Sequence, residues 1–586
     1  MAWKRPIRRR MDASTRPNTH DVTESVLHTS TRSAHKARDE DESTHESQEG
    51  LDSEALASQG LARTSLSQFF QHGLPSSKWD VFNTLDRMRI VYIGTKVSNL
   101  SHLISLDQSS RPFLVYPHPE IHPSPSLTSR TYTPSAAQDS AQDIYAPFSK
   151  ELRGELIESF FSKVHPIFPV VDEQSFRSKY DLAQDERPLL LLYAIMLVGA
   201  HVSQDAKVKR SRCTFKSLLF KRGKWLFDMR HENDRQHLVA AALLFTWHLE
   251  NADTVSMNAY YWSGVACRTA YGIGMHRNIL AEPDTPDRMP WRDRRLYRRT
   301  WWTLFQVEVM SALEHGRPSM IRLEDFDQGP LDARDFDEIQ GSQDTLATHI
   351  HYCARNIELC YIVVDLLRLT SPGILKRDSQ LDLETFQTRL ANWAIGLPMT
   401  TDFWSLQLQL HYHCVVLHLF RLHSRSGDFG LGSINSVELC SGATRAILSV
   451  FETMAATDVL NQCYSTSVMA LTAAAIYLSK EIQRSITNGA VLVALNHVRD
   501  LERVFPIATA LSEYWPNADG LLKLFTNLAD KFKILISDQQ QPPAQQEGFD
   551  INALNEINWE DIFAYSHHHQ SISTDDWMNT WPGLEK

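Results

Sequence analysis

Apolar residues recur at helical spacing along most of this 586-residue chain, and this periodicity constrains the fold more than any other feature. The pattern runs from about residue 145 to about residue 536. One segment shows it at positions i, i+3, i+7 and i+10, which are Leu383, Phe386, Leu390 and Trp393. Period-two alternation, which is typical of strands, is almost absent. We therefore predict an all-α body, either one large helical array or two closely packed halves.

The longest apolar run, residues 189–200, falls short of the roughly 20 residues needed to span a bilayer. It is better explained as a helix buried in the core. No apolar segment follows the basic N-terminus, so a secretory signal is not predicted. We expect no membrane segment.

Three other segments differ in composition from the helical body at 145–536. Residues 1–76 are predicted to be a disordered arm with a basic start, because no Phe, Trp or Tyr occurs between positions 11 and 68. Residues 77–144 hold a short apolar patch and a Pro-rich linker that we expect to be extended. Residues 537–586 hold a Gln/Pro linker and an acidic tail that contains aromatic residues.

The seven cysteines argue against a secreted disulfide scaffold, because their number is odd in a long chain. No two are spaced as Cys-x-x-Cys, as structural zinc sites usually require. The histidine tract at 567–569 is expected to be solvated. His411, His413, His418 and His423 share an apolar helix and are expected to be core residues. We predict a reduced, intracellular protein with no metal or cofactor site in this chain.

Motifs of catalysis are incomplete. Gly272-Ile273-Gly274 lacks the third glycine of a dinucleotide-binding loop. Asp428-Phe429-Gly430 resembles a kinase triplet, but no phosphate loop or catalytic loop accompanies it. We predict no catalytic residues and no enzyme activity. An all-α enzyme would need a convergent acid or metal site in the body.

Two clusters of basic residues stand out. The first consists of Lys4, Arg5, Arg8, Arg9 and Arg10. Its composition is typical of a segment that binds importin or nucleic acid, although a terminus that is merely soluble would have the same composition. The second spans residues 207–224, where Phe215, Leu218, Leu219 and Phe220 interleave with eight basic residues. We predict that its charges form the solvated face of an amphipathic helix.

The acidic tail has the composition of a transcriptional activation segment, in which acidic residues keep the chain expanded and aromatic residues contact a partner. Its candidate anchors are Trp559, Phe563, Trp577 and Trp581. A helix that docks on the body is an equally good explanation of this composition.

Several segments together resemble the middle homology domain of the fungal-specific transcription factor family. The similar blocks are residues 160–172, residues 266–278, residues 295–302 followed by Gly316-Arg317-Pro318, and residues 390–398 with Trp393. Residues 92–103 are similar to the subgroup that includes cutinase-gene activators. In physical terms, we expect Trp301 and Trp302 to fill core and groove positions and Gly316-Arg317-Pro318 to form a helix-ending turn.

The resemblance implies a nuclear, all-helical regulatory domain at 145–536, which in this family follows a six-cysteine zinc cluster that binds DNA, often as a dimer. No cysteine precedes Cys213, so the zinc cluster is missing from this sequence. DNA would be reached through a module outside this sequence or through a partner. We expect a regulator, such as an activator of a specialised-metabolite cluster or of extracellular-degradation genes. It would recruit coactivators and could form a homodimer. The alternative is a helical scaffold or coregulator that acts through a partner.

Overall fold

The computed structural model describes residues 88–93, 114–119, 148–180, 188–232, 234–249, 258–278, 289–337, 343–369, 379–423 and 436–539. From residue 148 onward these residues form helices and their connections, and no strand occurs among them. The prediction of an all-α body is therefore confirmed. The arm at 1–76 and the tail from residue 540 lie outside the described residues.

The first half of the body contains eight helices within the described ranges. They are α1 (Lys150–Lys163), α2 (Glu173–Tyr180), α3 (Leu189–Val202), α4 (Ala206–Arg210), α5 (Arg212–Asp228), α6 (Arg235–Phe245), α7 (Ala259–Gly272) and α8 (Trp291–His315). Short 3-10 turns follow at Leu323–Asp325 and Ala333–Phe336.

The second half of the body is also helical. Its helices are α9 (Gln343–Leu369), α10 (Ser379–Ile395), α11 (Phe403–His423), α12 (Ser436–Ala456), α13 (Ser465–Thr487), α14 (Val491–Glu502), α15 (Val504–Ser512) and α16 (Pro516–Gln539). A 3-10 turn at Leu460–Gln462 joins α12 to α13. Helix α10 ends at Ile395, just before Gly396.

Polar side chains cap the start of several helices. The capping oxygens accept hydrogen bonds from backbone N–H groups of the first turn and belong to Ser149, Asp205, Asp234 and Asn258. These bonds satisfy donors that have no partner within the helix. Helix α8 ends at Gly316, whose φ of 58° lies in the left-handed region that glycine adopts without steric cost.

Helix α3 lies at the centre of the first half. All its residues from Leu190 to Val202 are buried, which confirms that the apolar run is a core helix. Helices α1, α5 and α6 pack against it. A Cβ atom on Gly199 would lie 2.0 Å from the carbonyl oxygen of Leu156 in α1, so only glycine permits this close approach.

Helices α6 to α9 pack in succession, α9 contacts α11, and α13 joins α11 to α14 and α16. One continuous cluster of buried apolar residues runs from Phe148 to Ile536. The body is therefore one helical array. No helix among the described residues is both long and apolar enough to cross a bilayer.

The structure adds one feature that the sequence did not predict. Strand β1 (Met88–Ile93) pairs antiparallel with strand β2 (Leu114–Pro119) within the 77–144 segment. The second strand was not predicted because it contains prolines at 117 and 119, and proline lacks the backbone N–H that a strand normally donates.

Candidate functional site

The residues that the sequence singled out for nuclear targeting and activation lie outside the described part of the chain. They are Lys4, Arg5, Arg8, Arg9, Arg10, Trp559, Phe563, Trp577 and Trp581. Their roles therefore stay predictions. The polar groups that the structure does describe belong to the helical body, where they join segments far apart in sequence.

The first family-like block is fixed to the start of α8. The carboxylate of Asp172 accepts hydrogen bonds from Nε and Nη2 of Arg292 and, at 2.8 Å, from the backbone N–H of Ser175. His165 donates from Nε2 to the carbonyl oxygen of Val171 at 2.7 Å. Burial lowers the pKa of His165 to about 3, so its ring is neutral. These contacts give the block at residues 160–172 a structural role.

The paired tryptophans of α8 fill the core, as predicted. Trp301 is fully buried, with its ring centroid 5.5 Å from those of Tyr271 and Phe326. Trp302 donates from Nε1 to the carbonyl oxygen of Gly329 at 2.7 Å. The second and third blocks therefore meet at the rings of Tyr271 and Trp301.

The turn at Gly316-Arg317-Pro318 ends α8, as predicted, and it is held by Tyr260 of α7. The Tyr260 hydroxyl donates to the carbonyl oxygen of Pro318 at 3.1 Å, and the Arg317 guanidinium lies 5.0 Å from the centre of the Tyr260 ring. A cation over an aromatic face gains about 0.5–2 kcal/mol, depending on desolvation.

Glu308 holds the chain just beyond this turn. Its carboxyl group accepts a hydrogen bond from the Ser319 hydroxyl at 2.5 Å and from the backbone N–H of Met320 at 2.6 Å. Burial raises the pKa of Glu308 to about 7, against the effect of these two donors. The carboxyl is therefore a positioning group for the turn.

The predicted solvated face of residues 207–224 is wrong for three of its basic residues. Arg212, Lys216 and Arg222 are buried. The guanidinium of Arg222 lies 4.8 Å from the ring centre of Phe148 and 5.9 Å from that of Tyr193. The remaining basic residues are exposed or half-buried: Lys207, Lys209, Arg210, Lys221 and Lys224.

Arg212 caps the carboxyl end of α3. Its Nη1 atom donates to the carbonyl oxygens of Ala200 and Ser203 at 3.0 and 3.1 Å. Lys163 donates to the Val202 carbonyl at 3.1 Å. The last carbonyls of a helix have no partner within it and carry partial negative charge, so the buried Arg212 and the half-buried Lys163 have a physical reason to lie here.

Lys216 joins α5 to the turn between α15 and α16. Its Nζ atom lies 2.7 Å from Nδ1 of His201 and 3.2 Å from the carbonyl oxygen of Tyr514, and it sits 4.9 Å from the ring centre of Trp515. Burial lowers the pKa of Lys216 to about 7. One positive charge thus titrates near neutral pH inside the body.

The spacing of the basic residues could have revealed this arrangement. Arg212, Phe215, Lys216, Leu219 and Leu226 are all buried, and they lie at i, i+3, i+4, i+7 and i+14 of one helix. The two cations therefore occupy the apolar stripe itself. The burial of Arg212 and Lys216 was not predicted, because the basic residues were not assigned individually to a face of the helix.

The prediction that histidines on α11 are core residues is confirmed for His411 and His418. His411 donates from Nδ1 to Oδ1 of Asn356 at 2.9 Å, and its Nε2 lies 2.9 Å from the Thr466 hydroxyl. His418 donates to the carbonyl oxygen of Cys414 at 2.8 Å. Burial lowers the pKa of His411 to about 4, so this ring is neutral.

No group of three or more His, Cys, Asp or Glu side chains in the described ranges is arranged to hold a metal ion. None of the seven cysteines, all of which lie within the described ranges, forms a disulfide bond, and Cys213 is the one that is exposed.

Comparison with known proteins agrees with the order of the blocks. Residues 157–404 match the fungal specific transcription factor domain. The chain is 34% identical over 472 residues to the acetamidase regulatory protein of Aspergillus fumigatus, across 78% of this chain and 58% of that protein. It is 35% identical over 453 residues to the protein of the same name from Emericella nidulans, across 75% of this chain and 54% of that protein.

The resemblance to cutinase-gene activators is also confirmed. The chain is 30% identical over 414 residues to cutinase transcription factor 1 alpha of Fusarium vanettenii, across 66% of this chain and 44% of that protein. The chain spans about half the length of the curated relatives it matches. The domain match and the similarity over most of the chain show that this protein belongs to the fungal-specific transcription factor family.

Proposed function

We propose that this protein is a transcription regulator and that its helical body is the regulatory domain. The observation that carries the proposal is the match of residues 157–404 to the fungal specific transcription factor domain. The fold supports it, because the family-like blocks at Asp172, Trp301 and Gly316 contact neighbouring elements as parts of one core.

The names of the relatives indicate which kind of gene this protein would regulate. Their names refer to acetamidase and to cutinase, which are both hydrolytic enzymes. This similarity favours genes for substrate breakdown over a specialised-metabolite cluster. The protein would act as an activator of such genes.

In this proposal the chain acts in the nucleus and is not an enzyme. It reaches DNA through a zinc cluster outside these residues or through a partner, since no cysteine precedes Cys213. The basic residues at 4–10 would bind an import receptor or the DNA backbone. The acidic tail would recruit coactivators, and the body could pair with a second copy.

A reporter assay tests the activator role. The chain is fused to a heterologous DNA-binding domain, and transcription from the matching promoter is measured. We expect activation that is lost when residues 547–586 are deleted, because the acidic and aromatic side chains of the tail make the coactivator contacts. Deleting the equally long segment 24–63, which has no aromatic residue, is the matched control and should leave activation intact.

A second variant separates aromatic contacts from acidic charge. Replacing Trp559, Phe563, Trp577 and Trp581 by alanine leaves the tail charge unchanged and should reduce activation as the deletion does. A fusion that never activates would contradict the activator role. Activation that is unchanged without the tail would contradict the tail's role.

Localisation distinguishes the regulator from the scaffold alternative. A fluorescent fusion of the whole chain should enter nuclei, and replacing Lys4, Arg5, Arg8, Arg9 and Arg10 by alanine should weaken import. A wild-type fusion that is excluded from nuclei would favour the cytosolic scaffold.

A further inference from the structure

Helix α5 and the short helix α4 before it present a basic surface to solvent. Residues 206–227 include eight basic residues and no acidic one. Three of the basic side chains are buried, and the other five are exposed or half-buried. The surface part of this segment, termed the α4–α5 face, is formed by Lys209, Arg210, Cys213, Thr214, Ser217 and Lys221. A patch of one charge sign attracts a partner of the opposite sign.

The small residues of this face lie between its cations. Thr214, Ser217 and Lys221 occupy positions i, i+3 and i+7 of α5, so they share one side of the helix. The cations at 209 and 210 lie at the end of α4, just before α5 begins. Leu218, one helical turn after Thr214, is half-buried and adds apolar surface. The face therefore has a charged group at each end and small side chains between them.

Three cations of this face have no acidic partner among the described residues: Lys209, Arg210 and Lys221. The acids nearest in sequence are engaged elsewhere, since Asp205 caps the start of α4 and Asp228 pairs with Lys224. Asp458 and Glu513, which belong to other segments, act on the two cations that cap α3. The charge of the three outer cations is therefore not neutralised by the described part of the body.

The acidic tail matches this face in charge and in the order of its residues. Residues 547–586 contain eight acidic residues and one lysine. Two of the tail tryptophans adjoin pairs of carboxylates, because the acids at 560 and 561 follow Trp559 and those at 575 and 576 precede Trp577. An aromatic ring beside carboxylates fits a stretch of small side chains beside cations.

The tail is long enough to reach the α4–α5 face. Tyr514, just before α16, contacts Lys216 and Arg212 of α5, so α16 begins close to the face. This helix has 24 residues and spans about 36 Å. The 20 residues at 540–559 span about 25 Å as a flexible chain and about 66 Å when extended. A tail that turns back along α16 therefore brings Trp559 to the face.

We propose that the tail at 547–586 docks on the α4–α5 face of its own chain. Its carboxylates pair with Lys209, Arg210 and Lys221, and a tail tryptophan lies over the small residues between them. Each exposed ion pair is weak, but the tether holds the tail at an effective concentration in the millimolar range. A docked tail is withheld from coactivators, a consequence that rests on the proposed function.

A fluorescent label on Cys213 reports docking in the purified full chain. Cys213 lies on the face itself, and the other six cysteines are buried, so a thiol-reactive bimane labels this position. Tryptophan quenches bimane fluorescence on contact. A contact of millimolar affinity is about half formed under the tether, so deleting residues 547–586 should raise the fluorescence about twofold. Raising NaCl from about 0.1 M to about 1 M shortens the screening length from about 10 Å to about 3 Å and should have the same effect.

Charge variants assign the contact to this face. Lys209→Gln, Arg210→Gln and Lys221→Gln, made together, should raise the fluorescence as the tail deletion does. In the tail-deleted chain the same three changes should have no further effect. The matched control removes three exposed basic residues from other parts of the body, also by replacement with Gln: Lys150, Arg322 and Arg499. Its quenching should match that of the wild type.

Tryptophan variants identify the quencher. Replacing Trp559, Trp577 and Trp581 by Phe keeps the charge and the aromatic character of the tail but removes its indole rings, so the fluorescence should rise. Replacing Trp3 and Trp79 by Phe is the control, because these tryptophans also lie outside the helical body but not in the tail. That variant should stay quenched.

The reporter assay measures the consequence of docking separately. In the fusion to a heterologous DNA-binding domain, the chain with Gln at positions 209, 210 and 221 should activate more strongly than the wild type, because its tail is released. Equal activation would contradict the withholding of the tail, while the label still decides whether the tail docks. A fusion that never activates would contradict the proposed function and leave the label result intact.

Several outcomes would overturn the docking itself. Fluorescence that does not change when the tail is deleted would mean that the tail makes no contact with this face. Quenching that weakens on dilution of the protein would assign the contact to the tail of a second copy. Equal fluorescence in the charge variant and its control would place the tail elsewhere on the chain. A response to added duplex DNA, with none to tail deletion, would assign the face to nucleic acid.

Discussion

Lys216 donates a hydrogen bond from Nζ to the carbonyl oxygen of Tyr514 at 3.2 Å, across 298 positions of sequence. An early helix of the body is thereby joined to a turn near its end. The same Nζ atom lies against His201 and Trp515, so the ammonium group is enclosed by a carbonyl, an imidazole and an indole. The two ends of the array are coupled through one buried cation.

Stability should therefore depend on pH through Lys216. Its pKa is lowered from 10.5 to about 7 in the folded protein, because burial disfavours the charged form. Between these values the unfolded chain binds more protons than the folded one, so the free energy of unfolding rises as the pH increases from 7. Lys216→Met should flatten this rise. The unfolding midpoint measured from pH 7 to 9.5 checks the effect.

The control for this experiment is Lys209→Met, since Lys209 is exposed. Its pH profile should follow that of the wild type. If Lys216→Met kept the full slope, the proposed coupling through this amine would be wrong.

Arg212 should contribute strongly to the stability of α3. Replacing it by alanine leaves the carbonyls of Ala200 and Ser203 buried without this donor. We expect a loss of about 2–4 kcal/mol in the free energy of unfolding. Arg212→Lys should recover only part of this loss, because an ammonium group lacks the guanidinium fork. Denaturant unfolding measures both variants.

The matched control is Arg210→Ala, which removes an exposed arginine two positions away. Its effect should stay within about 0.5 kcal/mol, as for most surface substitutions. Similar losses at the two positions would show that Arg212 is not a structural cap.

Two glycines on adjacent helices should respond in opposite directions to alanine. At Gly199 the new Cβ would meet the Leu156 carbonyl oxygen at 2.0 Å, so α1 and α3 must separate. We expect a loss of at least about 1–3 kcal/mol, typical of overpacked cores. Gly154 lies within α1 with no atom near its added Cβ. There alanine should stabilise by about 0.5–1 kcal/mol, because it favours the helix.

Thermal and denaturant unfolding of the two variants provide the comparison. A neutral Gly199→Ala would contradict the close packing of α1 on α3. Destabilisation by Gly154→Ala would contradict the open space beside that residue.

Local patterns were sufficient to predict much of this fold. The apolar run of α3, the core positions of Trp301 and Trp302, and the turn at Gly316 each depend on neighbours within one or two helical turns. Such short-range signals are present in a single sequence. His411 was also predicted as a core residue, because its own helix is apolar.

Long-range polar contacts could not be predicted in the same way. Lys216 is buried because Tyr514 and Trp515 cover it, and they lie far along the chain. The contact between the rings of Trp247 and Tyr464 likewise joins two segments that no local spacing relates. The strand at Leu114–Pro119 was not predicted because its prolines are typical of a linker. In each case a tertiary contact, rather than a local preference, decides the structure.

The central claim is that this protein acts on genes, and chromatin occupancy mapping tests it most directly. An epitope-tagged copy is expressed from its own locus, and bound DNA is compared with that from an untagged strain. The account predicts discrete enrichment at a set of promoters, including those of hydrolytic enzymes. Occupancy no different from that of the untagged strain would contradict it.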